Sequence, residues 1–463
     1  MPLPTTFAGV SARGEGLFTS VVSLGGSYFV ATITQGNTGS DLLNWKNPAS
    51  KPLVVDNLGN YWIVFNDSNT ASSTNLQSVI IKFDNNGTLL FQKNISTAQV
   101  YLSSLATDSS GNIYASVSSG TNGGVMKITN AGAISWTKGQ HPTAGGGAFG
   151  ASVAIDSSNN VYSGLGIMDN NITGILVPKI YKLDSSGGTL ITDGSSWYRA
   201  VALSSNGTYL RGMITDTSNN VYIAGSYPFN GSSNYYLIAK VNSSLTVSWA
   251  YYLAASGDGK FYNVGLDSTG NVYAAGSVDT TTPVITKFNN SGTKQWFYSV
   301  TGITTPSEIT SLTTDLAGNS YVCGYSNNGN TTGGTFIIKI DTSGAIVWQR
   351  KITMYGTSGS NVNTKPQGIY LDSFNNFYVI GNFTSSNGSI NVWTVKLPTD
   401  GTKTGTYSVG GFTFAYASIT TYSLTSSSPS VGSAVDNGNP GATSTNSYAS
   451  VSSSYTEATT LIP

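Results

Sequence analysis

Apolar and polar positions alternate over short stretches along most of the chain, and clusters of Gly, Asn, Asp, Ser and Thr interrupt them at even spacing. Runs such as Val221-Tyr222-Ile223-Ala224-Gly225 and Ser152-Val153-Ala154-Ile155 read as strands. No segment carries a sustained helical period with caps, so helices are expected to be few or absent. The strands recur in a unit whose most regular part is Asp267-Ser268-Thr269-Gly270-Asn271-Val272-Tyr273. An aspartate opens a polar turn, a Gly-Asn or Asn-Asn pair closes it, and an apolar residue with an aromatic starts the next strand.

The turn aspartates are Asp56, Asp108, Asp156, Asp216, Asp267, Asp315 and Asp372, at intervals of 52, 48, 60, 51, 48 and 57 residues. Six residues after each comes an aromatic: Trp62, Tyr114, Tyr162, Tyr222, Tyr273, Tyr321 and Tyr378. A second block holds a lysine within an apolar strand: Lys82, Lys127, Lys182, Lys240, Lys287, Lys339 and Lys396. An aromatic follows nine residues later at Phe91, Trp136, Trp249, Trp296 and Trp348, whereas repeats three and seven break that spacing. Each repeat therefore reads as four short strands. A single four-stranded sheet cannot bury both apolar faces, but a ring of such sheets buries all of them. The pattern predicts an all-β chain, a β-propeller of seven four-stranded blades. The alternative is eight blades, the eighth composed from residues 28–46 and 411–425. The expected division is 1–46 as N-terminal strands and attachment segment, 47–410 as the propeller, and 411–463 as a Ser/Thr/Asn/Gly-rich arm that serves as a linker or is ordered by a partner.

The blocks Val264-Gly265-Leu266-Asp267-Ser268-Thr269-Gly270-Asn271-Val272-Tyr273-Ala274-Ala275-Gly276 and Ile285-Thr286-Lys287-Phe288-Asn289-Asn290-Ser291-Gly292 resemble the bacterial seven-bladed propeller repeats known as SBBP, and more distantly NHL repeats. The resemblance covers about residues 47–410. It implies the fold and says little of activity, because such propellers occur in surface, secreted and phage proteins with many roles.

Charge narrows the partners. Only 9% of residues are charged, against about 25% in an ordinary globular chain, and 21 basic residues balance 21 acidic ones. No nucleic-acid partner is expected, and no membrane span. The start of the chain lacks the charged segment of a cleavable secretion signal. With that start, the N-x-S/T triplets read as turn chemistry rather than as glycan sites.

Candidate chemistry is sparse. A single carboxylate per repeat, without the alternating acids of a calcium loop, makes the repeated aspartates structural turn residues, and no cofactor or metal is expected. A chelator should leave the melting temperature unchanged. The repeated lysines are expected to pack their stems on the sheet and reach a turn or a carboxylate, against a reading as channel cations. The tryptophans are expected to pack between blades. One histidine, His141, gives no cluster, and Cys323 lies within a strand. The three glutamates, Glu15, Glu308 and Glu457, are far apart. No catalytic residue is assigned.

The expected function is a non-enzymatic structural or adhesive propeller of an extracellular assembly, a bacteriophage virion protein above all. Its partners would be other subunits and a host-surface glycan, in an oligomeric or assembly-bound state. The alternatives are a carbohydrate-active lyase or glycosidase working in the central channel, and a bacterial surface scaffold.

Overall fold

The computed structural model describes residues 5–10, 16–25, 28–35, 51–68, 76–95, 100–119, 122–141, 148–169, 175–192, 208–228, 233–326, 333–356, 361–362, 364–384, 390–433 and 449–451. Among these there is no helix. The strands form seven antiparallel sheets, and the molecule is a seven-bladed β-propeller. The blades span 53–95, 100–141, 148–192, 209–253, 259–301, 307–355 and 364–398. In blade 5 the strands are Gly259–Leu266, Val272–Val278, Thr282–Phe288 and Lys294–Thr301, paired in that order from the axis outward. The first strands of successive blades touch one another around the axis, and that of blade 7 meets that of blade 1.

The second strands are buried on both faces, so they lose the polar–apolar alternation of a half-exposed sheet. All seven residues of Val272–Val278 and of Ser320–Ser326 are buried. Apolar clusters form across the seams. One joins Tyr222, Ala224 and Ile238 of blade 4 to Phe261, Val264 and Val272 of blade 5. Each of the larger aliphatic and phenylalanine side chains among them contributes about 1.5–3 kcal/mol through removal from water.

The ring closes in a way the repeat count conceals. Blade 7 has only three strands of its own, ending at Ile390–Pro398. Its fourth strand is Tyr28–Gln35, which pairs Phe29 with Lys396 and Ile33 with Val392. Strands Gly16–Gly25 and Thr5–Val10 continue this sheet outward. The eighth, composite blade is therefore not formed: residues 28–35 complete the seventh instead. Phe29 stands opposite Lys396 as Trp136 stands opposite Lys127 and Trp249 opposite Lys240. It is the aromatic that repeat seven lacks. In repeat three that place belongs to Ile191, opposite Lys182. Phe29, Ala31 and Ile33 share one cluster with Tyr378 and Val392 of blade 7 and Tyr61, Ile63 and Val79 of blade 1.

The C-terminal arm runs backward around the rim. Gly405–Val409 and Phe412–Ser418 form a hairpin on the outer strand of blade 6. Its two-residue turn is Gly410-Gly411, at φ 55° and 80°. A two-residue turn of that handedness matches the strand twist and calls for residues without a Cβ. Ser423–Ser426 then pairs with the outer strand of blade 5, Val431–Ser433 with that of blade 4, and Ala449–Val451 with that of blade 2. Each pairing covers a row of backbone donors and acceptors that would otherwise be an open edge. At the step from blade 6 to blade 5 the Gln349 side chain replaces a ladder partner. Its Nε2 donates to Tyr422 O at 2.7 Å, and its Oε1 accepts from Tyr422 N at 3.0 Å. The described parts of the arm thus pair with the outer strands of their own ring. Glu15, Glu457 and Thr459–Pro463 lie outside the described residues, as does the His141 side chain.

Candidate functional site

Two arrangements of polar side chains stand out, at opposite ends of the inner strands. The first is the repeated turn. In each blade the aspartate ends the first strand, and its Oδ1 accepts from the backbone amide four residues on. At Asp156 these bonds are 2.9 Å from Ser158 N and 2.8 Å from Asn160 N. Oδ2 accepts from Asn160 Nδ2 at 2.9 Å and from Tyr162 Oη at 3.2 Å. An asparagine stands at this fourth position in all seven repeats: Asn60, Asn112, Asn160, Asn220, Asn271, Asn319 and Asn376. The residue before it is left-handed in each case, as at Gly270 (φ 78°) and Asn159 (φ 61°). Gly and Asn are the residues that adopt that conformation at least cost. The carboxylate is thus engaged by protein donors.

The lysines carry the same motif across to the next blade. Every one sits over the aromatic ring of its own repeat, at 4.9 Å for Lys82 over Trp62 and 5.5 Å for Lys396 over Tyr378. Each ammonium then donates to the outer turn of the following blade. Lys127 reaches Ser185 O at 2.9 Å, Lys287 reaches Thr342 O at 3.0 Å, and Lys339 reaches Thr399 O at 3.4 Å. The outer-strand indoles converge on the same carbonyls: Trp136 on Ser185, Trp296 on Thr342 and Trp348 on Thr399, at 3.2, 3.3 and 3.1 Å. Lys396 donates to Asn85 O at 2.9 Å and so ties blade 7 to blade 1. A cation held by a ring and a carbonyl keeps its stem in the seam and its charge off the axis.

Burial first, and the neighbouring aspartate second, hold the phenols of Tyr114, Tyr162, Tyr222, Tyr273, Tyr321 and Tyr378 well above the usual tyrosine range. A raised folded-state pKa favours the neutral phenol. The stability it contributes is complete below the unfolded value near 10 and is lost as pH rises toward the folded one. In an alkaline titration these phenolates are expected to appear in one step together with unfolding. Smooth ionisation of all tyrosines with the sheet signal intact would contradict this.

The second arrangement lies toward the other end of the first strands. Strand pairing skips the residue five before each turn aspartate in blades 3 to 7: Ala151, Arg211, Tyr262, Thr310 and Gln367. Such a bulge frees a side chain from the pleat and re-aims it. The bulge also drives a carbonyl toward the second strand, where a side chain would not fit. A Cβ at Gly225 would lie 2.0 Å from Tyr209 O, and one at Gly324 would lie 2.1 Å from Glu308 O. Lys51 holds the same count in blade 1 and bridges to Ser104 of blade 2.

These bulges gather charged and aromatic groups from several blades. The Arg211 guanidinium carbon lies 5.6 Å from the Tyr209 ring centre and 5.4 Å from that of Tyr262. Tyr262 Oη donates to Glu308 Oε1 at 3.2 Å, and Lys365 Nζ lies 4.5 Å over the Tyr325 ring. Glu308 is buried and also accepts from Tyr325. Burial first, then this carboxylate, keep Tyr325 protonated, and the same holds for Tyr262. Asp258 is neutralised by Lys260 and receives Asn234 Nδ2. Its amide donates to Asp279, on the loop beyond. Burial pulls the Lys51 ammonium down to about 8 and lowers Arg211 and Lys365 as well. Lys51 and Arg211 each keep part of their surface accessible.

The sequence reading did not single out this second cluster. Its signal was present only as irregularity: a glutamate, an arginine and three lysines (Lys51, Lys260 and Lys365) at repeat positions where the remaining blades carry uncharged residues. Cys323 is buried, and its thiol is pushed up to about 12 by that burial. Among the described residues no group of three or more His, Cys, Asp or Glu could hold a metal. Among the described residues no helix is long and apolar enough to cross a membrane.

No family model matches the chain, and no curated protein matches it. Solved structures similar to it include a protein from Lactobacillus plantarum at 12% identity and TM-score 0.43, covering 70% of this chain and 91% of that one. A polysaccharide lyase of family PL25, an ulvan lyase, is similar at 9% identity and TM-score 0.40, covering 83% and 90%. Drosophila Plexin A in complex with Semaphorin 1b is similar at 11% identity and TM-score 0.40, covering 78% and 88%. Likeness at this level carries no argument about activity.

Proposed function

We propose that this chain, with its SBBP-like repeats, is a non-enzymatic structural or adhesive propeller of an exposed assembly, whose contacts are neighbouring subunits and a surface glycan. The observation that supports this reading is the fastening of the ring. Lysines stitch the seams, the N-terminal strand completes blade 7, and the arm covers the outer edges of blades 6, 5, 4 and 2. That construction suits a part that must persist in an exposed particle. A virion is the setting we favour, on the low charge and the Ser/Thr/Asn/Gly-rich turns.

The competing reading, a carbohydrate lyase or glycosidase, has the axial cluster in its favour. Against it, burial and the nearby Glu308 carboxylate hold the two phenols of the cluster, Tyr262 and Tyr325, in the protonated form, so neither phenol is poised as a base. The deciding experiment is incubation with a polysaccharide panel, read as new reducing ends and chain length. Binding without turnover is expected. Turnover abolished by Glu308→Gln would overturn the reading.

A further inference from the structure

The outer strand of blade 1 lacks the cover that both of its neighbours have. Blade 7 is extended by Gly16–Gly25 and Thr5–Val10, and blade 2 by the arm. The arm visits blades 6, 5, 4 and 2 in the reverse of chain order, and blade 1 is next on that path. Among the described residues the sheet of blade 1 ends at Leu89–Ile95, and no strand pairs with its outer side. Such an edge presents a row of backbone donors and acceptors to any strand that can reach it. The arm joins every blade at the same height, two or three residues past the outer-strand aromatic. It starts at Arg350 past Trp348, at Tyr298 past Trp296, at Tyr251 past Trp249 and at Gly139 past Trp136. The matching stretch of blade 1, past Phe91, is 93–95.

A buried side chain marks the same edge independently. Gln349, one residue after Trp348, is the group that grips the backbone of Tyr422 where the arm leaves blade 6. Gln92 holds the same place in blade 1, one residue after Phe91. The other blades carry Val30, Thr137, Thr192, Ala250 and Phe297 there. Gln349 pairs with Ile338, whose cluster fills the seam to blade 5, and Gln92 pairs with Ile81, whose cluster fills the seam to blade 7. Each glutamine therefore faces the seam with the preceding blade. Gln92 is 5% exposed, and its Oε1 has no hydrogen-bond partner. A buried amide oxygen without a donor costs free energy unless something supplies one. In blade 6 the arm supplies it.

We propose that the outer strand of blade 1 is a strand-capture site for the chain's own residues 452–463, with a backbone amide of that segment donating to Gln92 Oε1. The segment lies outside the described residues and follows directly on Ala449–Val451 of blade 2. Its length suffices. A crossing takes four residues from blade 6 to blade 5, 419–422, and four from blade 5 to blade 4, 427–430. Twelve residues hold one such crossing, a strand as long as Ser423–Ser426 and the residues that pass Gln92. Failure of this proposal would leave the covered edges of blades 6, 5, 4 and 2, and the reading built on them, as they are.

The test is hydrogen exchange of the full chain, read by mass spectrometry. Amides within 452–463 are expected to exchange slowly, as are those of Leu89–Ile95. Gln92→Leu keeps the volume and removes the acceptor. It is expected to speed exchange across 452–463 by about three- to tenfold, the worth of one net hydrogen bond. Residues 139–141 and Ala449–Val451, one blade away, should not change. Gln349→Leu is the matched control and should speed exchange across 419–422 by a similar factor. Fast exchange of 452–463 in the parent chain would overturn the proposal. So would a Gln92→Leu chain whose 452–463 segment exchanges at the parent rate, the result expected of a merely unpaired amide. Slow exchange that is lost on dilution would give the site to the tail of a second copy and overturn the assignment within one chain.

Discussion

Deleting residues 1–35 is expected to abolish cooperative unfolding of the ring. The deletion removes the outer strand of blade 7 and the wall that blade 7 presents to blade 1. Phe29, Val30, Ala31 and Ile33 are all essentially inaccessible in the folded chain. Phe29 stacks 5.5 Å from Tyr61, and Tyr61 lies 5.3 Å from Tyr378, so one aromatic file crosses the closing seam. Without the strand, Ile390–Pro398 becomes an open edge and this cluster is exposed to water. Two point variants grade the effect. Phe29→Ala is expected to cost about 3–5 kcal/mol as a large-to-small change in a packed core. Ile33→Asp is expected to cost at least as much, because a carboxylate would be buried without a partner. Urea unfolding followed by circular dichroism measures all three. A truncated chain with the parent midpoint and slope would show that blade 7 closes without the clasp. Deleting 427–463 provides the contrast. It removes only short rim pairings in the described part of the arm and is expected to leave unfolding cooperative.

The second large effect is expected at a repeated turn. Asp156→Ala should cost about 3–5 kcal/mol, because it removes the acceptor of several donors at once: the amides of Ser158 and Asn160 and the Asn160 side chain, with the Tyr162 hydroxyl left only Asn219 O at 3.3 Å. Asp156→Asn keeps an oxygen for the two amides but points an NH2 group at two donors, and a loss of about 1–2 kcal/mol is expected. Lys182→Met removes a largely buried ammonium with one hydrogen bond, to Ser243 O at 3.1 Å, its ion pair with Asp156 at 3.7 Å, and its contact with the Tyr162 ring. It should cost no more than about 1.5 kcal/mol. Thermal and urea melts of the three variants give the order. If Lys182→Met proved the most damaging, the seam would be held by the cation rather than by the turn it crosses.

The chain by itself determined the repeat, the strand count per repeat and the turn. These are local matters. The aspartate, the left-handed Gly or Asn, the following asparagine and the aromatic lie within seven residues of one another, and hydrogen bonding within that span sets their spacing. Even the missing aromatic after Lys396 was legible, as a defect in an otherwise regular series. Its remedy was not, because Phe29 pairs across more than 360 residues of chain and nothing in a strand's own composition names so distant a partner. The same limit applies to the arm. Its Ser- and Thr-rich strands fit any open edge, and only the assembled rim, with outer strands presented one after another, decides that they pair with their own ring. It applies most to the axial cluster. Arg211, Tyr262, Glu308 and Lys365 belong to different blades and to positions that vary between repeats. The bulges that turn their strands and the closure of seven blades about one axis bring them together. Charge and ring chemistry at that place are properties of the tertiary structure, whereas the fold that puts them there is a property of the repeat.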